Sequence, residues 1–102
     1  MIKRTLKQVE QMVNGTGLAE QYEGITIQGV SIDTRKIENG NLYVPIQGER
    51  FDGHAFVDKA VGNGAVATLW MKDVANPPEN LPVIFVEDTL SALQMLAKNY
   101  RN

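Results

Sequence analysis

Two short polar segments hold the residues of this chain that could do chemistry. The first, Ser31-Ile32-Asp33-Thr34-Arg35-Lys36, sets a hydroxyl, a carboxylate and two cations together where an alternating apolar run ends. Strand exits in α/β sheets are common ligand positions. Thr34 could hydrogen-bond a phosphate or ribose oxygen there, and Arg35 could pair with an anion. The second segment, Gly48-Glu49-Arg50-Phe51-Asp52-Gly53-His54, is bounded by glycines that permit close backbone approach. Phe51 offers a face on which a base ring could stack. Glu49 could accept from a ring N–H, Arg50 could reach a phosphate, and the helix that follows would present free amides to an anion. Each segment also has a plainer reading. The first could be a turn closed by Asp33 and Thr34, with Arg35 in a surface ion pair. The second could be a loop whose Phe51 fills the core and whose Asp52 caps a helix.

Other chemistries lack their parts. A P-loop needs G-x-x-x-x-G-K-[ST], and no lysine here is followed by serine or threonine. Neither H-E-x-x-H nor G-x-S-x-G occurs. His54 is the single histidine and there is no cysteine, which argues against multi-histidine, thiolate or disulfide frameworks. No catalytic residue and no metal ligand is therefore assigned, and the segment alone is expected to be inactive. The formal net charge of -2 argues against a nucleic-acid partner, which needs a basic surface. No segment approaches about 18 uninterrupted apolar residues, so no membrane span is expected. The basic N-terminus is not followed by an apolar run and does not read as a signal peptide.

The elements that must carry the two segments follow from periodicity. Leu6, Val9, Met12 and Val13 form one stripe and predict a helix over residues 5–14, with Thr5 and Gln8 at capping-box spacing. Gly15 is expected in the left-handed position after it. The alternation over 25–32 predicts a strand, with a bulge or close approach at Gly29. Asn39-Gly40-Asn41 is a turn signal. A second strand follows over 42–46, placed at an edge or cut short by Pro45. A helix with Phe56, Val57, Ala60 and Val61 on one face is capped by Asp52 or Gly53 and stopped at Asn63-Gly64. Strands are predicted over 65–70, ending in a core Trp70 whose N–H finds a partner, and over 83–86, a continuous apolar run typical of a central strand. A last helix, capped by Asp88 or Thr89, carries Leu90, Leu93, Leu96, Ala97 and Tyr100. It reaches the end of the sequence without a glycine or proline stop, which predicts a domain boundary. With 102 residues, 43% of them hydrophobic, this order predicts one small layered α/β domain: a mixed, partly parallel sheet packed by about three helices.

Taken together, the segments resemble a known family. Gly29 to Lys36, then Asn39-Gly40-Asn41-Leu42-Tyr43-Val44, then Gly48 to Phe56 are similar to the N-terminal domain of the Mur ligases. That pattern is D-S-R, then G-D-L-F, then G-x-x-x-D-G-H-x-F. The fuller run Gly48-Glu49-Arg50-Phe51-Asp52-Gly53-His54 is similar to the MurF branch; in the MurE branch the residues before D-G-H usually vary. Thr34 stands for the usual serine, Asn41 for an aspartate and Tyr43 for a phenylalanine.

The resemblance implies a fold like the N-terminal domains of those branches, spanning residues 1–102, with central ATP-binding and C-terminal domains outside this chain. It implies a cytoplasmic ligase that uses ATP and Mg2+ to join D-Ala-D-Ala to UDP-MurNAc-tripeptide in peptidoglycan precursor synthesis. The chain's partners would be that substrate and the enzyme's own remaining domains. Thr34 and Arg35 would face the uridine-phosphate end, and Gly48, Glu49, Arg50 and Phe51 would line the uracil and ribose pocket. A MurE-type domain and a stand-alone nucleotide-sugar module are the alternatives.

Overall fold

The computed structural model describes residues 3–47, 52–79 and 81–100. A short strand, β1 (Lys3–Thr5), leads directly into helix α1 (Leu6–Met12). The Thr5 side chain accepts from the Gln8 amide at 3.2 Å, and the Gln8 side chain accepts from the Thr5 amide at 2.9 Å. Two amides that the helix start leaves free are thus satisfied by neighbours three residues apart. After α1 the left-handed residue is Asn14, at φ 53°, not Gly15. Gly15 instead packs so closely that a Cβ would lie 2.3 Å from Ile84 Cγ2.

The predicted strand over 25–32 is two strands in two sheets. β2 (Thr26–Gln28) pairs antiparallel with β1, while β3 (Val30–Ser31) joins a four-stranded parallel sheet. Gly29 is the corner between them, at φ 86°, a conformation that costs side-chain-bearing residues. Asn41, 8% exposed, staples this corner. Its Nδ2 donates to Gln28 O at 2.6 Å, and its Oδ1 accepts from the Glu38 amide at 2.9 Å.

β4 (Leu42–Tyr43), β5 (Ala67–Met71) and β6 (Val83–Val86) complete the sheet in the order β3-β4-β5-β6. β4 ends early, before Pro45 as expected, but it lies inside the sheet and not at an edge. β6 is the reverse case. Its apolar run suggested a central strand, yet it is the last of the four. Its outer edge is met by Thr16, whose N–H donates to Phe85 O at 2.9 Å and whose carbonyl accepts from Phe85 N–H at 2.8 Å.

The sheet separates two apolar layers because side chains alternate along each strand. Leu42, Leu69, Ile84 and Val86 face one way, against Leu6, Val9 and Val13 of the α1 segment and Ala92 and Leu96 of α3 (Thr89–Tyr100). Tyr43 and Trp70 face the other, against Ile37, Val57 and Ala60. The last two lie on α2 (Val57–Gly62), which follows a 3-10 turn over Gly53–Phe56. Each fully buried Leu or Ile contributes roughly 1.5–3 kcal/mol. Trp70 Nε1 donates to Val74 O at 3.1 Å, the partner its buried ring needs. Asp88 caps α3 by accepting from the Ser91 amide at 3.3 Å.

The expected layered α/β domain with three α-helices is present, and its antiparallel pairing among the described residues is the β1-β2 ribbon and two single-residue bridges, Thr16–Phe85 and Gln47–Asp52. Three apolar residues sit outside their expected places, Ala97 on the exposed side of α3 among them. Leu90 is 49% exposed, because α3 turns Ala92 and Leu96 to the core. Phe56 is 39% exposed, because the 3-10 turn ends there and α2 proper begins one residue later.

Candidate functional site

β3 ends at Ser31, and the chain turns at once. Ser31 Oγ donates to Asp33 O at 3.1 Å and accepts from the Asp33 amide at 3.2 Å. A 3-10 turn over Thr34–Lys36 follows, capped by Asp33. Asp33 Oδ1 accepts from the Arg35 amide at 2.9 Å and from Arg35 Nε at 3.1 Å, and Oδ2 accepts from Arg35 Nη2 at 3.0 Å. The guanidinium holds the Asp33 carboxyl below its usual range, and the carboxylate in turn raises the Arg35 pKa. The Arg35 side chain is 80% exposed, so this pair contributes little to stability and can be exchanged for another anion at small cost. Asn63, just after α2, ties the turn down by donating from Nδ2 to Thr34 O at 2.8 Å.

A cleft of about 370 Å3 opens beside this turn, lined by Ile32, Asp33, Thr34 and Arg35 of the β3 exit together with Tyr43, Phe56 and Lys59. That size is at the low end for small-molecule sites. Its lining offers the Thr34 hydroxyl, two cations, the Asp33 carboxylate and the rings of Phe56 and Tyr43. A wider groove of about 590 Å3 lies between residues 17–22 and 76–79, but among the described residues Glu79 is its one charged lining residue.

Tyr43 joins the two polar segments. Its ring is 1% exposed, and its hydroxyl donates to Gly53 O at 2.8 Å. Burial, followed by the nearby Asp33 and Asp52 charges, pushes its pKa up to about 12. Beyond it, Asp52 pairs with Gln47 as an isolated antiparallel bridge and caps the 3-10 turn. Burial works against the Asp52 carboxylate, but hydrogen bonds from the His54 amide and ring outweigh it and hold its pKa below the usual value.

Thr34 and Arg35, both expected at the site from sequence, therefore share one cleft. Gly48, Glu49, Arg50 and Phe51 lie outside the described residues. Tyr43, Phe56 and Lys59 were missed. Phe56 and Lys59 are three apart, the spacing that puts two helical residues on one side, but apolar periodicity alone predicts Phe56 on the core face. Among the described residues no group of three His, Asp or Glu could hold a metal ion, and no helix is long and apolar enough to cross a membrane.

This chain belongs to the Mur ligase family: the model described as "Mur ligase family, catalytic domain" matches residues 26–101. Among curated proteins it is 56% identical over 100 residues to the UDP-N-acetylmuramoyl-tripeptide--D-alanyl-D-alanine ligase of Bacillus subtilis (strain 168), covering 98% of this chain and 22% of that protein. Identity to the ligase of the same name from Escherichia coli (strain K12) is 42%, covering 95% of this chain and 20% of that protein. A UDP-N-acetylmuramoyl-L-alanyl-D-glutamate--2,6-diaminopimelate ligase from Oceanobacillus iheyensis is 38% identical, covering 93% and 19%. The chain thus spans about a fifth of the length of these relatives. Among solved structures, MurF from Acinetobacter baumannii superposes with a TM-score of 0.83 at 27% identity, over 99% of this chain and 21% of that one. MurF ligase from Thermotoga maritima, in complex with ADP, gives 0.58 at 29% identity, over 71% and 16%.

Proposed function

We propose that this chain is the N-terminal, UDP-holding domain of a ligase that adds D-Ala-D-Ala to UDP-MurNAc-tripeptide in the cytoplasm. The observation that carries this reading is the cleft that brings Thr34 and Arg35 together with Phe56 and Lys59. A uridine diphosphate presents a flat ring, hydroxyls and two phosphates. Phe56 can pack against the ring. The Thr34 hydroxyl can hydrogen-bond a ribose or phosphate oxygen, and Lys59 and Arg35 can meet the phosphates, with Arg35 sharing itself between Asp33 and the ligand. Gly48, Glu49, Arg50 and Phe51 complete the uracil and ribose side in this reading.

The domain's contribution is positional. Binding energy from a handle far from the reacting atoms holds the tripeptide carboxyl where the chemistry occurs. ATP and Mg2+ serve the full-length enzyme, but the residues present here do not fit them. The sequence has no P-loop, and the described residues contain no acidic cluster for a metal. Although the matching family model is described as catalytic, the bond-forming step is assigned to domains beyond this chain. A MurE-type role is the second reading, favoured by the 38% identity to the diaminopimelate-adding relative. It leaves the UDP site unchanged.

Titration of the chain with UDP, followed by amide NMR, tests the site. Shifts are expected at Thr34, Arg35, Phe56 and Lys59. Phe56→Ala and Lys59→Ala should each weaken binding roughly tenfold, about the loss of one stacking or charge-assisted contact. Both residues are exposed, so thermal stability should stay nearly constant. Shifts confined to the groove around Tyr22 and Glu79 would refute the assignment.

A further inference from the structure

The single histidine is buried in a place that the nucleotide reading leaves without a role. His54 is 4% exposed. Its Nε2 accepts from the Met71 amide, the last residue of β5, at 3.2 Å. A nitrogen that accepts carries no proton, so the ring proton is on Nδ1, which donates to Asp52 Oδ1 at 2.6 Å. The Trp70 ring closes the pocket edge-on, with centroids 4.5 Å apart and planes at 88°. Both ring nitrogens are engaged and shut away from solvent, which leaves no site for proton exchange with a ligand.

The same turn is held at two further points. Tyr43 OH donates to Gly53 O at 2.8 Å. Gly53 lies so close to the β4 exit that a Cβ would come within 2.7 Å of Ile46 N and 2.9 Å of Pro45 Cα. Asp52-Gly53-His54 is thus bound to the ends of two parallel strands. Residues 48–51 lead into this turn, and Phe56, a wall of the cleft, follows it two residues later.

We propose that His54 is a positioning residue for the cleft. Fixed as its Nδ1–H tautomer, it pins the turn between residues 48–51 and Phe56 to the end of β5. The tautomer stands on the hydrogen bonds alone, whereas the effect on ligand binding rests on the UDP reading above.

Two measurements test this on the chain itself. Heteronuclear NMR of the imidazole should find the proton on Nδ1 and a hydrogen-bonded, unprotonated Nε2. A ring protonated at Nε2 overturns the proposal whether or not any nucleotide binds. UDP affinity is then compared in His54→Ala and His54→Gln, with unfolding curves used to choose a temperature at which each is folded. His54→Ala removes both bonds and should lose about tenfold in affinity, with Thr34, Arg35 and Lys59 untouched. His54→Gln sets a carboxamide oxygen near the Nε2 position and keeps the Met71 bond, so it should recover most of that loss. A folded His54→Ala that binds UDP like the parent refutes the positioning role. A parent that shows no UDP shifts refutes the nucleotide reading, and the positioning role with it, while the NMR result for the tautomer stands separately.

Discussion

Replacing Tyr43 by phenylalanine should stabilise the chain at high pH and destabilise it at neutral pH. At neutral pH the variant loses one buried hydrogen bond and leaves Gly53 O without its 2.8 Å donor. That costs about 1–2 kcal/mol. For a domain of this size each kcal/mol lowers Tm by roughly 4–8 °C. The alkaline limb has the opposite sign. Burial, with Asp33 and Asp52, raises the Tyr43 pKa to about 12 in the folded chain, against roughly 10 when unfolded. The unfolded chain therefore releases this proton first. The associated stability is fully present below about pH 10 and is lost as pH rises through about 12. Two pKa units correspond to about 2–3 kcal/mol, more than the hydrogen bond itself. The parent's advantage should vanish near pH ~11 and reverse above it. Urea unfolding of both proteins at several pH values reads this directly, with equal m-values confirming that only stability has changed. Other titrating groups are common to the two proteins and cancel in the difference. A parent-minus-variant gap that stays constant from about pH 8 to about pH 12 would refute the argument.

Two further substitutions probe the scaffold. Asn41→Asp keeps the acceptor for Glu38 but removes the donor to Gln28 O and sets a carboxylate against that carbonyl; a loss of about 1–3 kcal/mol is expected in urea, shrinking in acid, where a protonated carboxyl can donate again. Gly53→Ala drives a methyl into the backbone of Pro45 and Ile46 and should cost about 1–3 kcal/mol, so an unchanged urea midpoint would mean that the turn moves freely.

What the sequence disclosed was mostly what neighbours along the chain decide. The Thr5–Gln8 capping box, the Asp88 cap and the Asn39-Gly40-Asn41 turn depend on residues within a few positions of each other, and each is present, while Asp52 caps the 3-10 turn that precedes α2 and not α2 itself. Strand order does not have that character. The run at 83–86 reads as central because it is apolar, but its outer side is covered by Thr16 from a distant part of the chain, not by another strand of the sheet. The alternation over 25–32 is continuous although Gly29 sends its halves into different sheets. For the site, the cluster around Thr34 and Arg35 was legible from residue type. Phe56 and Lys59 were not, because one 3-10 turn shifts the phase of a helical stripe. The seat of His54 was not legible either, since its acceptor role depends on an amide seventeen residues away, at the end of β5.

The Thr16 bridge on β6 also bears on self-association. Continuous growth of a sheet from molecule to molecule needs two open sides on every copy. Here one side is taken up by the chain's own Thr16, leaving β3 as the only terminal strand of the parallel sheet, among the described residues, without a backbone partner on its outer side. Strand-to-strand contact on the β6 side would therefore have to displace the Thr16 bridge at Phe85, whereas the β3 side carries no such bridge among the described residues.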